Sequence, residues 1–216
     1  TSALVVPSYT SGTAAFSIFG GTLTLDSGMT VTVTNSGTAL ATGDHLLISE
    51  GNVAGSISAG TLPSVTVSGN GIAGACAELV IVSDQLYIRV SSATTAGTVT
   101  ATTNEVCASD NAITLTLSGN TGNVVKWQSS SDTSVWSDIA STDTTLHVSP
   151  TATTYYRAVV QSGCDDAANT PALLITVYPV AAGGNASPAA QGICYDTTAQ
   201  ITVTNYTGST FQWQVS

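Results

Sequence analysis

Basic side chains are almost absent from this sequence of 216 residues. Arg89, Lys126 and Arg157 stand against thirteen acidic residues, which gives a formal net charge of -10. Nucleic acids are bound largely through Lys and Arg, which displace counterions from phosphates. Anionic bilayer surfaces attract the same two side chains. The composition therefore excludes a nucleic-acid partner and disfavours a charged membrane surface.

Long apolar runs are also lacking. Stretches such as Leu79–Val82 are far shorter than the roughly 20 residues of a membrane-spanning helix, so we predict no membrane insertion. The N-terminus shows no basic segment followed by an apolar one, which indicates a removed signal peptide or an internal segment. The polar content is mainly Thr, Ser, Asn and Gly, which favour strands and turns. We predict an all-β fold.

Motifs for catalysis are missing as well. The sequence contains neither a Gly-x-Ser-x-Gly elbow nor a His-Glu-x-x-His pair, and His45 and His147 stand alone without zinc-ligand spacing. Because charged residues make up only 7% of the chain, general acid–base catalysis is disfavoured. We predict that the chain is not an enzyme and holds no cofactor.

A block of sequence occurs twice. The segment from Cys107 to Trp127 returns from Cys194 to Trp213, at offsets of 87 and 86 positions. A repeat of this length predicts tandem domains, of which the third is truncated. We expect a β-rich domain at 1–101, an Ig-like sandwich at 102–179, and a linker with the first strands of a second copy at 180–216.

The second domain has about seven short strands separated by turns, which is typical of a Greek-key β-sandwich. Because Trp127 and Trp213 recur at the same place, we predict that both are core residues of the third strand, and we place Tyr156 in the core as well. Trp136 lies in a polar, turn-rich segment, so it is our candidate ligand contact.

Several motifs of this domain resemble the Ig-like repeats of large adhesins and gliding-adhesin-like surface proteins of the Bacteroidetes. The resemblance rests on a Cys before a strand, two Trp-centred motifs, and a Tyr-Tyr-Arg strand that leads into Ser-Gly-Cys, at residues 107, 127–130, 136–139, 153–160 and 162–164. Residues 1–101 are more weakly similar to β-helical, autotransporter-like repeats. The resemblance implies display at the bacterial cell surface and carries no catalytic residue.

The cysteines allow two schemes. A Cys107–Cys164 disulfide would close a loop inside the sandwich and contribute roughly 3–4 kcal/mol, but it leaves Cys76 unpaired. In the alternative, Cys76 pairs with Cys164, and Cys107 and Cys194 pair with cysteines of downstream repeats. In a standard Ig topology Cys107 and Cys164 lie at opposite ends, which argues against the first scheme. Because a bend in a strand would still bring the two cysteines together, we expect Cys107–Cys164 first and keep the second scheme as the alternative.

Two kinds of modification or ligand site remain as candidates. Asp165 and Asp166 form the densest acidic cluster and are a weak candidate for Ca²⁺, although a solvated loop is the more frequent role of such a pair. Thr144 and Thr197 match a short O-glycosylation pattern of the resembled group.

These observations lead to one expected function and one alternative. We expect a non-enzymatic structural or adhesive segment of a long extracellular surface protein or filament, with β-domains in series stiffened by disulfides. Its partners would be other copies, neighbouring domains or surface glycans, and Ala3–Val6 would be the donor strand of a filament. The alternative is a carbohydrate-binding accessory module of a secreted enzyme.

Overall fold

The computed structural model describes residues 3–50, 55–58, 60–210 and 212–214, and every regular element in these ranges is a strand. The predicted all-β class with sandwich architecture is therefore confirmed. Within the same ranges, no helix is long and apolar enough to cross a membrane.

The chain forms two compact units. The first comprises Thr1–Thr98, Ser118–Lys126 and Ala158–Thr170, and the second comprises Val99–Leu117, Trp127–Arg157 and Pro171–Ser216. Because two long strands contribute residues to both units, the units do not follow the boundaries expected at 101 and 179. Those boundaries stay a prediction.

Among the described residues before position 92 there are nine strands. They are β1 (Ala3–Tyr9), β2 (Phe16–Ile18), β3 (Gly21–Thr24), β4 (Thr30–Asn35), β5 (Gly43–Glu50), β6 (Gly55–Ser58), β7 (Val65–Gly69), β8 (Cys76–Val82) and β9 (Gln85–Ser91). Most of their pairings are parallel: β1 with β4 and β4 with β7, β2 with β5, and β3 with β6. Successive turns of chain therefore stack as coils, which is the arrangement of a β-helical segment. Membership of the resembled β-helical family stays a prediction.

The coils are held in register by stacked side chains. Val33 lies beside Val6 on one side and Val67 on the other; Val6 and Val33 belong to the hydrophobic core, and the partly buried Val67 packs against it. Outside the core, hydroxyl groups stack instead, as Ser17 and Ser49 do at 2.9 Å. Because side chains alternate across a strand, a one-residue slip would bury the hydroxyl rows, so this pattern specifies the register.

Asn35 links two coils at a corner. Its buried side chain donates from Nδ2 to the carbonyl oxygens of Thr38 (2.7 Å) and Gly71 (3.0 Å), and its Oδ1 accepts the amide of Gly37. A buried side-chain amide with all of these bonds made is stabilising, whereas the same amide buried without partners would be destabilising.

The expected role of Ala3–Val6 as a free donor strand is wrong in this structure. These residues belong to β1, which pairs along β4, and Val6 is buried in the core. β8 and β9 form an antiparallel hairpin, and its turn residues Ser83 and Asp84 have the positive φ angles of 49° and 61° that tight hairpins require.

The sandwich is built from nine further strands. They are β10 (Thr98–Ala101), β11 (Glu105–Cys107), β12 (Ile113–Ser118), β13 (Asn123–Ser130), β14 (Ser137–Ile139), β15 (Thr145–Val148), β16 (Thr154–Gln161), β17 (Ala168–Asn169) and β18 (Leu173–Tyr178). One sheet has the order β10-β12-β15 and the other β11-β18-β16-β13-β14, with β17 beside β16. Two sheets connected in this way are the Ig-like Greek-key pattern.

Two of the three predicted core aromatics are confirmed. Trp127 of β13 is 0% exposed, and its indole Nε1 donates to the carbonyl oxygen of Asp143 at 2.9 Å. Tyr156 of β16 is also buried. Burial of Ile113, Leu115 and Leu117 on alternate positions of β12 follows from the period-2 pattern of that strand.

The sequence repeat has a structural counterpart. The last two strands, β19 (Asn185–Ser187) and β20 (Thr202–Thr204), are antiparallel, as β10 and β12 are in the first copy. An isolated bridge between Thr95 and Thr121 recurs between Ala182 and Thr207. A second sandwich built on this repeat stays a prediction.

Trp213 is not a core residue here, so that prediction is wrong for this structure. Its side chain is 53% exposed. The physical reason is that β19 and β20 have no second sheet to cover them: none of the described residues between 179 and 214 is buried.

The two equivalent tryptophans provide a matched pair of substitutions. We expect Trp127→Ala to lower the free energy of unfolding by about 3–5 kcal/mol, because it empties a fully buried site. Trp213→Ala should cost less than about 1 kcal/mol. Urea denaturation followed by circular dichroism measures both, and equal losses would contradict the assignment.

Candidate functional site

The structure joins Cys76 to Cys164, with their Cα atoms 5.9 Å apart and 88 positions between them in sequence. The Cys107–Cys164 pairing expected first is therefore wrong, and the Cys76–Cys164 part of the alternative scheme is confirmed. The reason is topological. Cys76 is the first residue of β8 and pairs with Ser91, the last residue of β9, and the loop after β16 contacts Ser91 through Gly163. Cys107 and Cys194 are free and exposed.

The loop that carries Cys164 is held by more than the disulfide. The backbone amide of Thr94 donates to Asp165 Oδ2 at 2.6 Å, and the amide of Ser162 donates to Thr94 Oγ1 at 3.0 Å. Gly163 has φ +52°, and a Cβ at that position would overlap the side chain of Ser91. We call the residues Cys76, Ser91, Thr94 and Ser162–Asp165 the latch.

The acidic pair of this loop is Asp165 and Asp166. Asp165 accepts the Thr94 amide, and this hydrogen bond lowers the pKa of its carboxyl group from the ordinary value. Asp166 is exposed, and the described part of the chain contains no group of three or more His, Cys, Asp or Glu side chains that could hold a cation. The weak Ca²⁺ candidate at Asp165 and Asp166 therefore stays a prediction, and the bond that the structure shows for the first carboxylate is the one that anchors the loop.

Trp136 is placed by the loop that precedes β14. Asp132 Oδ1 accepts the amide of Ser134 at 2.9 Å, and this backbone bond is the main cause of the lowered pKa of Asp132. The carbonyl oxygen of Thr133, which has φ +67°, accepts the Trp136 indole Nε1 at 3.0 Å. The turn thus fixes the ring before the strand begins.

The Trp136 ring stacks on a basic side chain. The guanidinium carbon of Arg157 lies 3.9 Å from the ring centroid, a cation–π contact. Arg157 Nε donates to Gln128 Oε1, and Gln128 Nε2 donates to Asp138 Oδ1, both at 2.7 Å. These four side chains, which we call the outer cluster, connect the neighbouring strands β14, β13 and β16.

The outer cluster was only partly visible in the sequence. Trp136 was the candidate ligand contact, and it is partly exposed, as expected for such a residue. Arg157 and Gln128 were not singled out, although both occupy outward positions that alternate with the buried Tyr156 and Trp127. Alternation combined with the scarcity of basic residues could have identified Arg157.

The two candidate glycosylation residues are exposed. The backbone carbonyl of Thr144 accepts the amide of Leu117 at 2.8 Å, which leaves its side chain outside the bond. Thr197 Oγ1 donates to the carbonyl oxygen of Cys194 at 2.6 Å. Their modification stays a prediction.

Comparison with known proteins gives one match. Residues 95–179, less than half of the chain, are similar to a family described as a domain of unknown function, DUF8696. The match begins at the bridge residue Thr95 and ends one residue after β18, so it spans one copy of the repeat. No curated protein matches the chain. No solved structure matches it either.

The latch should make the stability of the first unit sensitive to acid. Because the folded-state pKa of Asp165 is lowered, its contribution is present above the unfolded value, near pH 4, and is lost as the pH falls through the folded value. Asp165→Asn should therefore lower the urea midpoint at neutral pH and flatten its decline in acid. Asp166→Asn, at the exposed neighbour, is the control, and an identical pH profile in both variants would contradict the role of Asp165.

Proposed function

We propose that this chain is a non-enzymatic structural or adhesive segment of a long extracellular surface protein or filament, with β-domains in series stiffened by disulfides. The observation that carries the proposal is the Cys76–Cys164 bond, which ties residues far apart in the sequence into one unit. A disulfide persists in oxidising compartments such as the bacterial cell exterior.

The composition supports the same proposal. A chain with three basic and thirteen acidic residues keeps a net negative charge, which favours solubility and discourages nonspecific association. Stacked hydroxyl groups, such as Ser8 with Ser36 (3.0 Å) and Thr34 with Ser68 (3.2 Å), cover strand surfaces without charged side chains. The partners of such a segment would be neighbouring domains or other copies of the same protein.

A load applied along the chain would meet the disulfide directly. When the two termini are pulled apart, the residues between Cys76 and Cys164 cannot extend while the bond is intact. At about 3.3–3.6 Å per extended residue, the bond withholds roughly 300 Å of chain. The disulfide therefore limits how far the segment lengthens even after its strands separate.

Single-molecule force spectroscopy of the full chain tests this role. We expect the oxidised chain to release about 300 Å less contour length than the Cys76→Ser variant, and to unfold its first unit at higher force. Cys107→Ser is the matched control and should behave as the unaltered chain. Equal lengths and equal forces for the oxidised chain and Cys76→Ser would show that the bond bears no load.

The second candidate is a carbohydrate-binding accessory module of a secreted enzyme. The observation in its favour is the partly exposed Trp136 beside polar side chains, an arrangement on which a sugar ring could stack. Against it, Arg157 covers one face of the indole, and the polar groups of Gln128 and Asp138 already bond to each other. The outer cluster is thus better suited to brace three strands.

A glycan array separates the two candidates. If the outer cluster is a brace, Trp136→Ala should leave the array signal unchanged and lower stability by about 0.5–1 kcal/mol, the magnitude of an exposed cation–π contact. Val135→Ala, at an exposed neighbouring position, is the control. A glycan signal that disappears in Trp136→Ala alone would favour the binding module.

A further inference from the structure

Cys107 and Cys76 each lie beside the last residue of a strand that ends a group of strands, although the pairing is parallel at Cys107 and antiparallel at Cys76. Cys76 on β8 pairs with Ser91, the last residue of β9. Cys107 on β11 pairs with Tyr178, the last residue of β18. Ser91 and Tyr178 are 87 positions apart, which is the period of the repeat. In both places, therefore, a cysteine lies beside the residue at which the chain leaves a completed group of strands.

The chain continues in the same way after both residues. Four positions after Ser91, Thr95 bridges to Thr121, and four positions after Tyr178, Ala182 bridges to Thr207. Gly97 and Gly184 have φ angles of +74° and +70°, and a Cβ at either position would overlap the carbonyl oxygen of a strand residue in the same copy. The start of the next copy is therefore built alike on both occasions.

In the first instance, the cysteine is bonded to a loop of the copy that follows. The loop residue Cys164 bonds to Cys76, Gly163 lies against Ser91, and Asp165 accepts the amide of Thr94. At the repeat offset of 87 positions, Tyr178 is equivalent to Ser91 and Ala181 is equivalent to Thr94. Ala181 keeps the backbone amide that Asp165 would need but lacks the hydroxyl that accepts the Ser162 amide.

Around Cys107, no loop of the described residues is bonded to the cysteine. The Cys107 thiol is exposed and belongs to the lining of a depression that also includes Glu105, Asp110 and Tyr178. The Tyr178 side chain is 48% exposed. The disulfide at Cys76 indicates that the Cys107 thiol is also a disulfide partner.

We propose that Cys107 is the attachment point for the loop cysteine of a complete repeat copy that begins at residue 182, equivalent to the bond that Cys164 makes with Cys76. Its ligand is a Ser-Gly-Cys-Asp loop of the kind found at 162–165. This inference rests on the proposed function as a series of domains and extends it: each copy would be bonded to what precedes it rather than closed on itself.

The chemistry is thiol–disulfide exchange. One thiol is oxidised by a disulfide oxidant, such as glutathione disulfide or a dithiol–disulfide oxidoreductase, to a mixed disulfide. The second thiolate attacks that bond, an S–S bond forms between the two cysteines, and the oxidant leaves as thiol. Two thiols of the protein thus lose two electrons and two protons, and the oxidant gains them.

A lengthened chain tests the pairing. Residues 1–214 followed by a copy of residues 129–179 complete the second repeat, because Gln214 corresponds to Gln128 in the repeat. After oxidation in a glutathione buffer, we expect a non-reduced peptide map to show Cys107 bonded to the added copy of Cys164, with Cys76–Cys164 retained. Cys107→Ser should leave the added cysteine free.

The outcome that overturns the proposal is equally specific. If Trp213 fluorescence shows that the added copy has folded and its cysteine is free or bonded to Cys194, the proposed attachment is wrong. The force measurement on Cys76→Ser does not depend on Cys107, so a failure here leaves the load-bearing role standing.

A second measurement on the unaltered chain covers the case in which the added copy does not fold. A synthetic peptide of residues 161–166, activated as a mixed disulfide at its cysteine, is offered to the oxidised chain, whose two free thiols are Cys107 and Cys194. We expect several-fold faster exchange at Cys107 than at Cys194, and no such preference with glutathione disulfide alone. Equal rates with the peptide overturn the proposal.

Discussion

The Cys76–Cys164 bond is the constraint on which the first compact unit depends. It fixes the loop after β16 to the start of β8, and this connection explains why Ala158–Thr170 belongs to the same unit as Thr1–Thr98. In the chain-entropy description, a link across 88 positions stabilises by roughly 4–5 kcal/mol, a large share of the stability of a small domain. The hydrogen bonds to Thr94 then select one orientation of the loop.

The β-helical part of the same unit depends on a different constraint: apolar side chains stack on apolar ones in neighbouring coils, and hydroxyl groups stack on hydroxyl groups. Leu23 lies beside Ile57, and Phe16 lies beside Ile48, so in these two pairs an apolar side chain lies beside an apolar one of the next coil. Each coil alone could not bury these faces, since a single turn of chain has no second layer. Stability therefore arises between neighbouring coils, as in other repeat architectures.

The sequence predicted local structure better than it predicted pairing. Alternation of apolar and polar residues is visible in strands such as β4 and β12, because period 2 is a property of each strand alone. The partner of each strand depends on segments far away. The parallel coils had a signal that sequence analysis missed: Val31-Thr-Val-Thr returns 34 positions later as Val65-Thr-Val-Ser.

The two tryptophans show the same limit at a single residue. Trp127 and Trp213 occupy the same place in the repeat, and each is followed by Gln, so the repeat predicts one role for both. Of the two, only Trp127 is buried. Its strand β13 belongs to a sheet that packs in a sandwich, whereas β20 pairs with β19 alone in the described part of the chain. A local motif specifies which way a side chain points, and the rest of the domain decides whether it is covered.

The scarcity of cations explains how the surface is stabilised. Arg89 forms an ion pair with Asp44 at 2.7 Å. Arg157 contacts the Trp136 ring and donates a hydrogen bond to Gln128, so both arginines already have partners on neighbouring strands. An exposed ion pair such as Arg89–Asp44 contributes little, typically less than about 1 kcal/mol. Hydroxyl stacking and a disulfide do not weaken when salt screens charge, whereas ion pairs do. A chain that relies on the first two keeps its strength across changes in ionic strength, which suits the exposed, load-bearing role that we propose.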